Sequence, residues 1–156
     1  MRDFLRKLHR EEKIELVEPS TAIANSYSQK ATNYLSAGKI LYDAALYENT
    51  IAELYYAMYN SLLSLLFTCG IKSENHAGSI VLLQTFFDMD TSQISFAKQE
   101  RIDKQYYVAD SSDIKESALN MISIAEDFIN GVEGYKLRLL KKDIQDIRNS
   151  FNQFFD

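Results

Sequence analysis

The residues of this chain best suited to chemistry are one histidine, one arginine and a set of tyrosines. His76 follows Lys72-Ser-Glu-Asn75 at a predicted helix N-terminus. Unpaired backbone N–H groups there could hold an anion while the imidazole trades a proton near neutral pH. The plainer alternative is a half-buried histidine that bonds a loop carbonyl. Tyr55, Tyr56 and Tyr59 place three phenols on two turns of one predicted helix. They either line a groove or belong to the core, each hydroxyl reaching a polar partner. Arg101, followed by Tyr106 and Tyr107, offers a guanidinium and rings that can hold a phosphate and stack a base. A helix-edge cation beside core aromatics is the equal alternative. Asp88 and Asp90 read as a solvated turn.

Other chemistries lack their residues. A ferritin-like metal site needs Glu-x-x-His pairs on facing helices, and none occurs. With one Cys and two His, the chain has no obvious zinc ligand set, so neither a metal nor a cofactor is expected. The glycines never form G-x-x-x-x-G-K or G-x-G-x-x-G, the loops that cradle phosphates in ordinary nucleotide enzymes. A net charge of -5 argues against a general nucleic-acid coat but leaves room for a local basic site. Cys69 stands alone, which rules out an internal disulfide and fits a reducing compartment. Met1 to Arg10 alternates charged and apolar residues, without the apolar core of a secretory signal. The longest strongly apolar stretch, Ser61 to Cys69, is under half of the roughly 20 residues that span a bilayer. A cytoplasmic protein that does not enter membranes is expected.

Helices must position these residues. At 156 residues, 46% of them apolar, the chain can bury a core unaided, and one domain over residues 1–156 is expected. Pro19, beside Ser20 and Thr21, marks a break and a helix start. Before it, Phe4, Leu5, Leu8 and Leu16 suggest a short amphipathic helix with a basic outer face. From Thr21 to about Ala45, residues including Ile23, Tyr27, Ala31 and Ile40 recur at helical steps. From Glu48 to Cys69, Ile51, Tyr55, Met58, Leu62, Leu65 and Cys69 form the clearest helical stripe in the chain. Gly70 then Ile71 predicts a left-handed cap, and Lys72 to Asn75 a polar turn. His76 to Phe87 predicts a shorter helix, and Ser92 to Tyr107 another, with Ile94, Phe96 and Ile102 around a polar middle. From Ser112, Ile114, Leu119, Ile122, Ala125 and Phe128 mark a long helix that Gly131 and Gly134 can kink or end. Leu137 to Phe155 reads as a separate amphipathic helix. No segment alternates as a half-buried strand would. The expected fold is all-α, an up-and-down bundle of about five to six helices.

In order and spacing these landmarks resemble the HEPN family of small helical domains. The residues that carry the likeness are Gln29-Lys-Ala31, Leu35 and Ala37, then Ala52-Glu-Leu-Tyr-Tyr-Ala-Met-Tyr59, its most specific piece. Leu65, Leu66, Gly70, His76, Arg101 with Tyr106, and Ala118, Ala125, Phe128 and Val132 follow, so that the resemblance covers about residues 26–134. It implies a bundle that often forms a homodimer, binds nucleotide or RNA, and pairs with a minimal nucleotidyltransferase in a toxin–antitoxin-like system. Many toxins of that family are metal-independent ribonucleases with an Arg-x4-6-His motif. Here Arg101 is followed at those distances by Tyr106, Tyr107 and Val108, none of which replaces imidazole near pH 7. Arg2 and His9 satisfy the spacing but lie outside the matched region. The Arg-x-x-Ala-Asp-Tyr pattern of stand-alone members is incomplete, with Lys104 and Gln105 at the Ala and Asp positions. The expected protein is thus a HEPN-like binding domain whose ligand candidates are Tyr55, Tyr56, Tyr59, His76, Arg101 and Tyr106, with no catalytic residue assigned. A divergent ribonuclease, with folding bringing His76 toward Arg101, and a structural helical adaptor are the alternatives.

Overall fold

The computed structural model describes residues 1–106 and 111–156, and side chains over 1–104 and 113–156. Among these residues lie seven helices and a two-stranded ribbon: α1 (Arg2–Arg10), β1 (Ile14–Leu16), α2 (Thr21–Asp43), α3 (Tyr47–Thr68), β2 (Ile71–Ser73), α4 (His76–Phe87), α5 (Ser92–Tyr106), α6 (Ser111–Arg138) and α7 (Lys141–Phe155). The chain is an all-α bundle built around α3, which packs mainly against α2 and α6 and then against α5. From Leu54 to Leu66 nearly every α3 side chain is buried. Two of its polar residues there bond within the helix or across it, Asn60 donating to the Tyr56 carbonyl at 2.7 Å and Ser64 facing Ser28 at 2.8 Å, whereas the buried Ser61 hydroxyl has no partner among the described residues.

The helix boundaries follow local chemistry. Ser20 caps α2, its hydroxyl accepting the Ile23 N–H at 3.2 Å. Past the end of α3, Gly70 takes φ +67°, and a Cβ there would stand 2.3 Å from the Val17 carbonyl oxygen. From α7, Arg148 donates one Nη1 to the carbonyls of Val17, Cys69 and Gly70 at 2.8, 3.0 and 3.2 Å, tying the C-terminal helix to that corner.

Four sequence expectations need correction. Lys72 and Ser73, expected in a polar turn over Lys72 to Asn75, form a strand with Ile71, and Leu16 lies in its antiparallel partner rather than in the first helix. Three-residue strands are too short for alternation to register, and their partners lie far apart in the chain. Seven helices lie among the described residues where about five to six are expected for the bundle, each in a segment whose own spacing predicts a helix. Neither Gly131 nor Gly134 interrupts α6, which runs to Arg138. A glycine costs an exposed helix only about 1 kcal/mol, and the buried Phe128 and Val132 beside Gly131 hold the turn in place. Finally, Phe4, Ile23, Ile40, Phe96 and Leu119, expected on apolar stripes, are exposed.

The terminal helices share one seam. Leu5 and Leu8 of α1 are buried, α4 packs against both α1 and α7, and His9 stacks on Phe155 with ring centroids 4.3 Å apart. Phe86, Phe151 and Phe154 complete this aromatic cluster. No helix among the described residues is long and apolar enough to cross a membrane.

Candidate functional site

Three elements converge near the middle of α3. Tyr55, Tyr56 and Tyr59 rise from successive turns of α3, where positions i and i+4 share a face. The β2 strand and Asn75, whose carbonyl side-chain oxygen caps α4 by accepting the Gly78 N–H at 2.8 Å, deliver His76 as the first residue of α4. Arg101 arrives from α5.

The Tyr55 hydroxyl lies 2.7 Å from His76 Nδ1. Burial raises the Tyr55 phenol far above its ordinary range, and the Arg101 charge offsets only part of that rise. The phenol therefore donates, Nδ1 accepts, and the His76 proton sits on Nε2. Desolvation holds His76 below the usual histidine value, with the charges of Arg101 and Lys98 adding to it. An uncharged imidazole with an Nε2–H donor is the form present at neutral pH. Tyr59 stacks on that ring with centroids 3.8 Å apart and planes inclined by 12°. Its hydroxyl meets Ser79 Oγ at 3.3 Å, and Ser79 donates onward to Ser73 Oγ at 2.8 Å.

Arg101 is gripped from the same tyrosines. Its Nη1 donates to the Tyr56 hydroxyl at 2.8 Å, while the guanidinium carbon lies 4.8 Å from the Tyr55 ring centre and 5.4 Å from that of Tyr56. Such stacking fixes the plane of the fork and leaves the remaining N–H groups aimed by the rings. Its Nε is buried without a partner among the described residues. Beside it opens a cleft of about 230 Å³ lined by Glu48, Asn49, Ala52, Tyr56 and Arg101.

Tyr56, His76 and Arg101 are thus partly exposed around one cluster, whereas Tyr55 and Tyr59 lie buried beneath them. Those two tyrosines answer to the core alternative, each hydroxyl bonded, while also orienting His76. Tyr106 ends α5, and its side chain, like all of Tyr107, lies outside the described residues. Arg2 and His9 are engaged elsewhere: the Arg2 guanidinium sits 5.2 Å from the Phe154 ring centre and His9 stacks on Phe155. The sequence reading gives no site role to Glu48 or Asn49 and names Ala52 only within the family motif. Their spacing of one, four and eight residues from Glu48 through to Tyr56 marks one helix face and was the available signal. Among the described residues, no three His, Cys, Asp or Glu side chains gather as a metal ion would require.

Comparison with known proteins places this cluster in a family. The HEPN domain profile matches residues 24–135, most of the chain and the whole of α3, α4 and α5. The chain belongs to the HEPN family. A protein of Methanocaldococcus jannaschii named as a "putative toxin" is 30% identical over 109 residues, 66% of this chain and 81% of that relative. Within this HEPN protein the matched segment contains every residue of the Tyr–His–Arg cluster. By contrast α1, β1 and the whole of α7 with its Phe151 to Phe155 seam fall outside it.

Proposed function

We propose that this HEPN protein is the toxin-like member of a two-component pair and that its Arg101–Tyr56–His76 cluster binds a phosphate-bearing ligand, a nucleotide or short RNA. The supporting observation is the placement of Arg101. Its guanidinium is stacked on two tyrosines and hydrogen-bonded by one of them at the wall of a cleft of about 230 Å³. A planar fork held in this way suits bidentate recognition of phosphate, and the half-exposed Tyr56 ring offers a face for a base. His76, uncharged, adds a hydrogen-bond donor without adding charge.

Relatedness to a protein named as a toxin supports the pairing, and the family resemblance suggests a minimal nucleotidyltransferase as partner, a homodimer and a cytoplasmic setting. The reading also treats residues 1–156 as one domain, since α1 and α7 both pack on α4. Catalysis is left out of it, because Arg101 has no histidine at the family's spacing. A ribonuclease is the second reading, favoured by one observation: His76 and Arg101 both contact Tyr55, so folding supplies a pair that the linear motif lacks.

Thermal unfolding with and without a panel of nucleoside monophosphates and short single-stranded RNAs tests the binding. A ligand selective for the native state raises the melting temperature, by about 2.7 kcal/mol of stability at one hundred times its Kd. That rise should disappear in Arg101→Ala. If no ligand stabilises the wild type, the binding proposal is wrong and the adaptor alternative stands. RNA cleavage by wild type that is lost in His76→Ala would replace binding by catalysis.

A further inference from the structure

The N-terminal segment outside the family match grips the stretch of chain that delivers His76. In the β1–β2 ribbon Ile14 pairs with Ser73, Glu15 with Lys72 and Leu16 with Ile71. Flanking bonds extend the grip, with Val17 N–H donating to Gly70 O at 2.8 Å and Glu74 N–H donating to Lys13 O at 2.9 Å. Residues 70–74 are therefore held continuously, two positions short of the histidine. On the inner side, Leu8 and Ile14 press on the first turn of α4: a Cβ at Gly78 would meet Leu8 Cδ1 at 2.6 Å and Ile14 Cδ1 at 3.3 Å. The strand residue Ser73 is linked through Ser79 to the hydroxyl of Tyr59, whose ring stacks on His76.

We propose that residues 2–17 are a positioning element for His76, a brace that sets the imidazole against Tyr55 and Tyr59. Magnitudes decide which of its contacts matter. The ion pairs along the ribbon, Lys72 with Glu15 at 2.9 Å and with Glu74 at 3.1 Å and Lys13 with Glu74 at 3.4 Å, are all well exposed and contribute little each. An isolated two-stranded ribbon is only marginally stable in water. Burial of Leu5, Leu8 and Ile14 against α4 holds this one, and the backbone bonds then transmit that placement to Asn75 and His76.

The test reads the His76 titration by NMR in the full-length protein without ligand, so its outcome does not depend on whether any nucleotide binds. The groups facing His76 are Tyr55, Tyr56 and Tyr59 from α3 and Lys98 and Arg101 from α5. None is altered in the variants, so a changed titration reports a changed position. Glu15→Pro places a residue with no N–H opposite Lys72, whereas Glu15→Ala removes only the ion pair. Glu15→Pro should move the His76 pKa up toward the ordinary value near 6.5, and Glu15→Ala should leave it where it is. A folded Glu15→Pro protein with an unchanged His76 titration would overturn the proposal. Should Glu15→Pro fail to fold, Ile14→Val, which trims the methyl over Gly78, is read the same way: a rise supports the brace and no change refutes it.

Discussion

At the residue scale, His76 is kept uncharged by the protein around it. Its folded pKa lies below the unfolded value near 6.5 because burial and two nearby cations disfavour the charged form. The unfolded chain therefore binds the extra proton first. Stability linked to this group is fully present above about pH 6.5 and is lost as pH falls from there through the folded pKa. Melting temperatures measured across mild acid should decline in wild type, and His76→Gln should flatten that part of the slope. Tyr55 and Tyr59 act in the opposite direction, since burial raises both phenols and stability should fall as pH rises past about 10. Arg101→Lys tests the value of the planar fork. A lysine keeps the charge but neither stacks on Tyr55 and Tyr56 nor grips phosphate bidentately, so titration with the best nucleotide or RNA should show binding weakened almost as far as in Arg101→Ala.

At the element scale, the helices are locked by a few directional contacts. Lys136 on α6, with its side chain only 12% exposed, donates to Ser28 on α2 at 2.7 Å, to Ser64 on α3 at 2.5 Å and to Glu133 at 3.0 Å. This bond set ties α6 to both neighbours of the central interface. Lys136→Met should cost about 1–3 kcal/mol in urea unfolding, since it leaves Glu133 and the buried Ser64 short of a donor. The Gly70 corner is less forgiving. Alanine there meets both a left-handed backbone and the Val17 oxygen at 2.3 Å, so Gly70→Ala should lose at least about 2 kcal/mol in the same assay. Cys69 beside it is fully buried, and burial pushes its thiol up to about 12.

On the scale of the whole molecule, the two terminal helices close one seam over α4. Phe151 is 1% exposed and sits between Phe86, Phe155 and the His9 ring. Phe151→Ala should remove about 3–5 kcal/mol of stability, measured by denaturant unfolding, and should loosen α1 together with α7. Because α1 feeds β1, which pairs with the strand that leads to His76, a seam defect belongs to the same mechanical chain as the candidate site, although it starts at the far end of α4.

Sequence by itself determined the helical class, the Ser20 cap, the Gly70 stop, the bounds of α4 and the family, because each rests on periodicity or on residues adjacent in the chain. It also named Tyr55, Tyr56, Tyr59, His76 and Arg101, but left open whether they were core or ligand groups. Only the tertiary structure decided that Tyr55 and Tyr59 lie buried under His76 while Arg101 opens onto the cleft with Glu48 and Asn49. It likewise decided the β1–β2 pairing and the exposure of Ile40 and Leu119. The physical reason is common to these cases. Helix formation and capping are governed by neighbours within about four residues, so a linear pattern carries them. Strand pairing, burial of a phenol and the stacking of a guanidinium depend on surfaces brought together from distant segments, and their energies exist only once the bundle has closed.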